Sequence, residues 1–320
     1  MKILLINVTY GKGSTGKIVE SLRNQYISQG HDVRVIYGRH TNSNSQGIIK
    51  GGFELESKIH HFFSKFTENL YGGMFFSTLR IKHLIKKINP DFVHIHCING
   101  FFVNIYSLIK FLKKNHIRTV VTNHSDFMFT SNCGYALDCE NWNGNECRNC
   151  KRVKTFNGKF SLNRTHHFYK KMEKAFKGFD ELSITNVSPW LTERSSKSSI
   201  FKGVPNCTVM NPVSNAFFNK PTINPYDKYN LDKDTKKVVY VTSNFEEKEK
   251  GGYWLEPLAN KFKNQKVKFF VISSIKSDFK VDNNDVIFVQ EKLTQEELAS
   301  YYYFADSTIV LSERETFSMV

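Results

Sequence analysis

The sequence has no long apolar run. Its longest are ILLINV over 3–8 and FFVI over 269–272, far below the roughly 18 residues that cross a bilayer as a helix. Lys2 precedes only six mostly apolar residues, with no small-residue cleavage site after them. That is too little for a secretory leader and predicts a cytoplasmic chain. The six cysteines are then expected to be reduced, which argues against a disulfide scaffold. No internal repeat is present. Acidic residues are scarce beside basic ones, 30 against 45, for a net charge of +15. The imbalance is confined to the first 200 residues, with 29 Lys and Arg against 14 Asp and Glu; residues 201–320 carry 16 of each. A basic face attracts nucleic acid, an anionic membrane surface or a phosphorylated substrate. A lysine bias on a solvated surface would give the same count.

What is present is globular. Hydrophobic residues make up 40% and charged residues 23% of 320, a length that suggests two domains. ILLINV reads as a strand buried on both faces. A Gly-rich turn over 11–16 follows, then a helix with Ile18, Val19, Leu22 and Tyr26 on one face, closed by Gly30. Strands are expected at 33–38, 92–97, 118–122 and 182–187, helices around Ile105–Leu112 and Phe168–Phe176, and a polar loop at 41–52. Ser188-Pro189 supplies an N-cap and a first-turn proline for a further helix. Pro205, Pro212, Pro221 and Pro225 cluster at a composition shift. The reading is a first domain over 1–203 with a Cys-rich insertion at 131–154, a linker at 204–226, and a second domain over 227–320. There, strands are expected at 236–242, 266–273, 285–290 and 307–312, with a helix from about 252. Thr294 and Glu297 form a capping box for a helix at 295–305. Alternating strands and helices in two blocks give two parallel-sheet α/β domains.

Several constellations can carry chemistry. Gly11-Lys12-Gly13-Ser14-Thr15-Gly16-Lys17 joins a strand to a helix and nearly fits a nucleotide P-loop, but Ile18 stands where a Mg²⁺-binding hydroxyl is needed. Either it is a backbone cradle for a phosphate at a helix N-terminus, or it is a plain turn. Cys133, Cys139, Cys147 and Cys150 are spaced C-x5-C-x7-C-x2-C. Four thiolates can close a structural zinc site; a cluster of packed reduced thiols fits equally. Cys97 and Cys207 read as core. His94 and His96 share one strand face, with Ile95 on the other, at the carboxyl end where open α/β sheets bind ligands. His124 sits at a similar crest. Lys248, Lys250 and Gly251 follow strand 236–242, and Glu315 follows strand 307–312. The lysines suit a diphosphate and the carboxylate suits sugar hydroxyls; surface charge is the plain alternative.

In this order, the pieces resemble glycosyltransferases of family 4, with the two-Rossmann GT-B fold. The likeness is to the subgroup that builds bacterial surface polysaccharides of the colanic acid and O-antigen type. GKGSTGKIV resembles the family's Gly-rich loop, and PDFVHIHCINGFFVNI its Pro-Asp-x-x-His-x-His stretch. NHSDFMFTSNCGYALDCENWNGNECRNC resembles the subgroup's cysteine-bearing segment. There Ser125 or Asp126 stands around the family's Asp, and Phe127 replaces the usual Trp. VSPWL, MNPVSNAFF and ADSTIVLSERETFSMV resemble the interdomain markers and the approach to an E-x7-E signature. The Arg usual before the donor-site lysine is missing, with Lys248 nearby. Glu315 would be the first glutamate of E-x7-E and the second would fall beyond Val320, which predicts an incomplete second domain.

The resemblance implies retaining transfer from a UDP- or GDP-linked sugar to a lipid-linked or oligosaccharide acceptor, with no catalytic metal. Lys250, with Lys248 and Gly251, would hold the diphosphate, and Glu315 the donor sugar. His124 would contact the transferred sugar, the loop Gly11, Gly13, Ser14, Thr15 and Gly16 would line the cleft near phosphate and acceptor, and His94 and His96 would support it. The basic first domain then suits an anionic inner-membrane surface, which makes the enzyme cytoplasmic and peripheral on the inner membrane. Two rivals are an inactive truncated transferase and a basic zinc-knuckle nucleic-acid protein. The latter needs exposed aromatics. The helical spacing of Phe62, Phe63 and Phe66, and of Phe168 and Phe176, places both sets in the core, so no nucleic-acid partner is expected.

Overall fold

The computed structural model describes residues 1–39, 45–136, 138–150, 162–273, 281–289 and 292–317. The chain divides into two compact units, Met1–Asn211 and Pro212–Val320.

The first unit runs β1 (Lys2–Asn7), α1 (Gly13–Ser28), β2 (Asp32–Tyr37), β3 (Ile48–Lys50), α2 (Glu54–Thr67), α3 (Phe75–Ile88), β4 (Phe92–Ile95), α4 (Ile105–Lys114), β5 (Thr119–Asn123), α5 (Thr165–Phe176), β6 (Leu182–Asn186), α6 (Pro189–Ser196) and β7 (Asn206–Thr208). The strands form one parallel sheet in the order β3-β2-β1-β4-β5-β6-β7. Helices cover both of its faces, which is why β1 is apolar from Ile3 to Ile6. Ile3 and Leu5 pack with Val19, Val33, Val35 and Tyr37 on one face, while Leu4 and Ile6 are fully buried on the other. Ser188 caps α6 by accepting from the Leu191 N–H, with Pro189 in the first turn.

The second unit runs β8 (Lys236–Thr242), α7 (Leu255–Lys261), β9 (Val267–Ser273), β10 (Val286–Val289), α8 (Gln295–Phe304) and β11 (Ser307–Ile309). Its parallel sheet has the order β10-β9-β8-β11. Val239, Phe270, Ile272 and Tyr301 build the core on one face, and Tyr240, Phe269, Val271 and Leu255 on the other. The Thr294–Glu297 capping box opens α8.

Some sequence expectations need correction. Ile48–Lys50, inside the stretch read as a loop, is the edge strand β3, with Ile48 opposite Val35. Asn206–Thr208, within the stretch read as a linker, is the edge strand β7; its Cys207 is exposed, not core. Both strands are three residues long, too short to show an alternating pattern. Phe168 and Phe176 are buried as expected, but Phe62, Phe63 and Phe66 are more than half exposed. Helical spacing identifies a face without saying which way it points.

Candidate functional site

Each sheet reverses its winding once. In the first unit the chain steps from β1 out to β2 and β3, then returns to place β4 on the other side of β1. In the second it steps from β8 to β9 and β10, then returns to place β11 on the other side of β8. Connections on opposite faces of the sheet leave a crevice at the carboxyl ends of the two strands where the order reverses, and ligands of open α/β sheets bind there. The expected residues gather at these two places.

At the β1/β4 reversal the glycine loop follows β1. Gly11 and Gly13 have φ of 66°, a left-handed backbone that favours glycine. The Gly11 N–H donates to the Gly16 carbonyl at 3.0 Å. A β-carbon on Gly16 would lie 2.8 Å from Thr9 Oγ1, so the loop folds closely on itself. Among the described residues no side chain caps the start of α1, and no acidic residue lies in its first turn, which leaves Ser14 and Thr15 in a region of positive potential. Asn7, which sequence reasoning missed, ties the loop to β4. It is fully buried; its Oδ1 accepts from the Cys97 N–H at 2.9 Å and its Nδ2 donates to the Thr9 carbonyl at 2.7 Å. It is the polar last residue of an apolar strand, and that was the available signal.

His94, His96 and His124 form a buried stack beside this loop's strands. The His94 and His96 rings are 4.1 Å apart and those of His96 and His124 5.4 Å apart. His94 Nε2 meets Thr122 Oγ1 at 2.7 Å, and Thr122 meets Thr185 at 2.7 Å. His96 Nδ1 meets His124 Nε2 at 3.1 Å. Burial pushes His94 down to about 3 and His124 to about 4, and holds His96 well below the ordinary histidine range. All three rings are therefore neutral near pH 7. His94 Nδ1 and His96 Nε2 have no protein partner among the described residues, and a neutral ring nitrogen can donate or accept a hydrogen bond.

The segment after His124 is tied to the body of the unit by a buried ion pair. Asp126 is buried, accepts from the Ala136 N–H at 2.7 Å and pairs with Arg194 at 3.4 Å. The Arg194 guanidinium lies between Trp142 and Trp190, 4.8 and 4.9 Å from their ring centres. Ser125 is buried beside it.

The cysteine segment admits a structural zinc site or a packed cluster of reduced thiols. Cys133, Cys147 and Cys150 are buried, Cys139 half-buried, and all are free thiols. Burial pushes the Cys147 thiol up to about 12. No group of three His, Cys, Asp or Glu among the described residues is arranged to hold a metal ion. An aromatic centre packs the segment: Trp142 lies edge-on to Phe129 at 5.4 Å and donates to the Cys139 carbonyl at 2.8 Å, and Tyr169 donates to the Trp142 carbonyl at 3.1 Å.

At the β8/β11 reversal the two following loops are zipped together. Gly251, with φ of 74°, lies against Leu311. The Glu313 N–H donates to the Glu249 carbonyl at 3.0 Å, and Tyr240 donates to the Lys250 carbonyl at 2.5 Å. Lys250 and Glu315 meet at 2.9 Å, each about three-quarters buried. Lys248 is exposed at the start of the turn and is not part of this pair.

Comparison with known proteins gives the same direction. Residues 15–181 match the family model described as Glycosyltransferase Family 4. No curated protein matches the sequence. Among solved structures, sucrose-phosphate synthase from Thermosynechococcus elongatus aligns with a TM-score of 0.62 at 16% identity, covering 99% of this chain and 77% of that one. The catalytic domain of starch synthase IV from Arabidopsis thaliana, bound to ADP and acarbose, aligns at 0.59 and 13% identity, covering 99% and 79%. A glycosyltransferase from Rickettsia africae ESF-5 aligns at 0.56 and 14% identity, covering 99% and 75%. At these identities the likeness is one of fold, the GT-B architecture of two parallel-sheet units.

Proposed function

This chain belongs to glycosyltransferase family 4, and on that premise we propose that it moves a sugar from a nucleotide diphosphate sugar to an acceptor hydroxyl with retention of configuration. The observation that carries the reading is the Lys250–Glu315 pair at the β8/β11 reversal. The ammonium of Lys250 offsets the charge that develops on the departing diphosphate. Glu315 accepts hydrogen bonds from hydroxyls of the transferred sugar, and donor binding exchanges part of their mutual contact for contacts to the ligand. Lys248 adds positive charge at the entrance to the same turn, and Gly251 lets the backbone pass close.

In the first unit the Gly11–Gly16 loop offers N–H groups to a phosphate. His124 contacts the transferred sugar, and His94 and His96 hold its ring in place. Neutral imidazoles bind hydroxyls without competing for the phosphate. The acceptor is lipid-linked and belongs to cell-surface polysaccharide assembly. The likeness of residues 123–150 to that subgroup supports this, as does the positive charge of the first 200 residues, which suits an anionic inner-leaflet surface.

Calorimetric titration with UDP and with GDP tests the reading. One of them is expected to bind the unaltered chain and to bind Lys250→Ala at least about tenfold more weakly. If neither nucleotide binds, the donor assignment fails.

A further inference from the structure

Helix α2 is folded inside out. Its buried side chains are Ser57 and Ser64, while Leu55, Ile59, Phe62, Phe63 and Phe66 are between 50% and 72% exposed. With 3.6 residues per turn these five fall on one face, and the serines fall opposite them. Ser57 Oγ donates to the Phe101 carbonyl, which fixes that polar face against the body of the unit. The outer rings cluster among themselves: Phe62 lies 5.5 Å from Phe63 and 5.4 Å from Phe66.

The start of α3 joins this surface. Glu56 accepts from the Phe76 and Ser77 N–H groups at 2.9 and 2.8 Å, which holds the exposed Phe75 and Phe76 beside the first turn of α2. An exposed apolar face this continuous marks an interaction site.

The charge around it names the partner. Between residues 51 and 90 the only acids are Glu54, Glu56 and Glu68, and the protein holds all three. Glu54 pairs with Lys50 and Arg39. Glu56 binds the start of α3. Buried Glu68 accepts from the N–H groups of Leu162, Asn163 and Arg164. Lys58, Lys65 and Arg80 are exposed, and neither Lys58 nor Lys65 forms an ion pair among the described residues. A helix with one phenylalanine-rich face and lysines at its edge lies in the plane of a bilayer, its rings about 5–10 Å into the headgroup boundary.

We propose that the outer face of α2, with Phe75 and Phe76 of α3, inserts into an anionic phospholipid surface. This deepens the reading of a lipid-linked acceptor, and rests on it for its purpose, by naming where the chain meets the membrane. Flotation with vesicles in the absence of any nucleotide tests it separately from sugar transfer. The unaltered chain is expected to float with phosphatidylcholine–phosphatidylglycerol vesicles, more weakly with pure phosphatidylcholine, and less at high salt.

The combined substitution Phe62→Ser, Phe63→Ser and Phe66→Ser is expected to weaken binding at least about tenfold. Lys58→Ser and Lys65→Ser are expected to weaken it about fivefold each. Because all five side chains are exposed, thermal melting is expected to stay unchanged. Four results would each overturn the proposal. They are failure of the unaltered chain to float, flotation that the triple variant keeps, lipid-free dimerisation that the triple variant abolishes, and displacement from vesicles by a single-stranded oligonucleotide.

Discussion

Gly251 sits so close to Leu311 that a β-carbon on it would lie 1.9 Å from the Leu311 carbonyl oxygen. Its φ of 74° is also one that other residues resist. Gly13 has a similar φ of 66° but open space where a β-carbon would go. Gly251→Ala is therefore expected to lower stability by more than about 2 kcal/mol. Gly13→Ala is expected to cost about 1 kcal/mol, the conformational term alone. Calorimetric melting of the two variants checks the contrast; equal losses would mean that the β8 and β11 loops are not packed as described.

Lys250 and Glu315 are assigned different parts of the donor, so their variants should separate. Lys250→Ala should weaken UDP or GDP at least about tenfold while changing the monophosphate much less. Glu315→Gln should leave the diphosphate nearly unaffected and weaken the nucleotide sugar. Titration of each variant with the three ligand types decides the matter, and parallel losses for all ligands would dissolve the assignment.

The histidine stack predicts an acid-sensitive first unit. Burial lowers the folded-state values to about 3 for His94 and about 4 for His124, with His96 also low, against about 6.5 in an unfolded chain. Above that unfolded value neither state holds these protons. Below it the unfolded chain takes up protons that the folded chain refuses, so stability falls as pH drops toward 4. The slope approaches about 1.4 kcal/mol per pH unit for each histidine. Melting temperatures between about pH 7 and pH 5 should show the decline, and His96→Gln should make it shallower. A flat profile for the unaltered chain would mean that the rings are not buried neutral.

Arg194 is nearly enclosed and is the cationic partner of buried Asp126. Removing it leaves a carboxylate without that charge in a low-dielectric site. Arg194→Met is expected to cost about 3 kcal/mol, and the double variant Arg194→Met, Asp126→Asn appreciably less. Thermal melting of the pair checks this; additive losses would show that the two side chains do not act together.

Much of the frame was legible from residue pattern. ILLINV announces a strand covered on both faces, Thr294 and Glu297 announce a helix start, and the strict alternation His94-Ile95-His96 places both rings together. Other features lie beyond what a pattern holds. The three-residue strands β3 and β7 have no period to read. Phe62, Phe63 and Phe66 reveal a helix, yet their spacing is the same whether the face looks inward or outward. Only the buried serines opposite them show the inversion. Lys250 and Glu315 are 65 residues apart, and their meeting depends on β11 returning to the free side of β8. The cysteine spacing records distance along the chain and leaves zinc and packed thiols both open, and it does not announce that Trp142, Phe129 and Tyr169 pack that segment.

The repeated reversal of strand order has a consequence for how such a molecule can diversify. Each crest is built from loops of a single unit on that unit's own core, and the units divide between Asn211 and Pro212. Exchange of genetic segments at that joint would carry a whole crest, its sheet and its supporting loops together, into a new partnership. The inheritable quantum is then one whole unit, a sheet with the crest it supports, and each unit can vary without disturbing the core of the other.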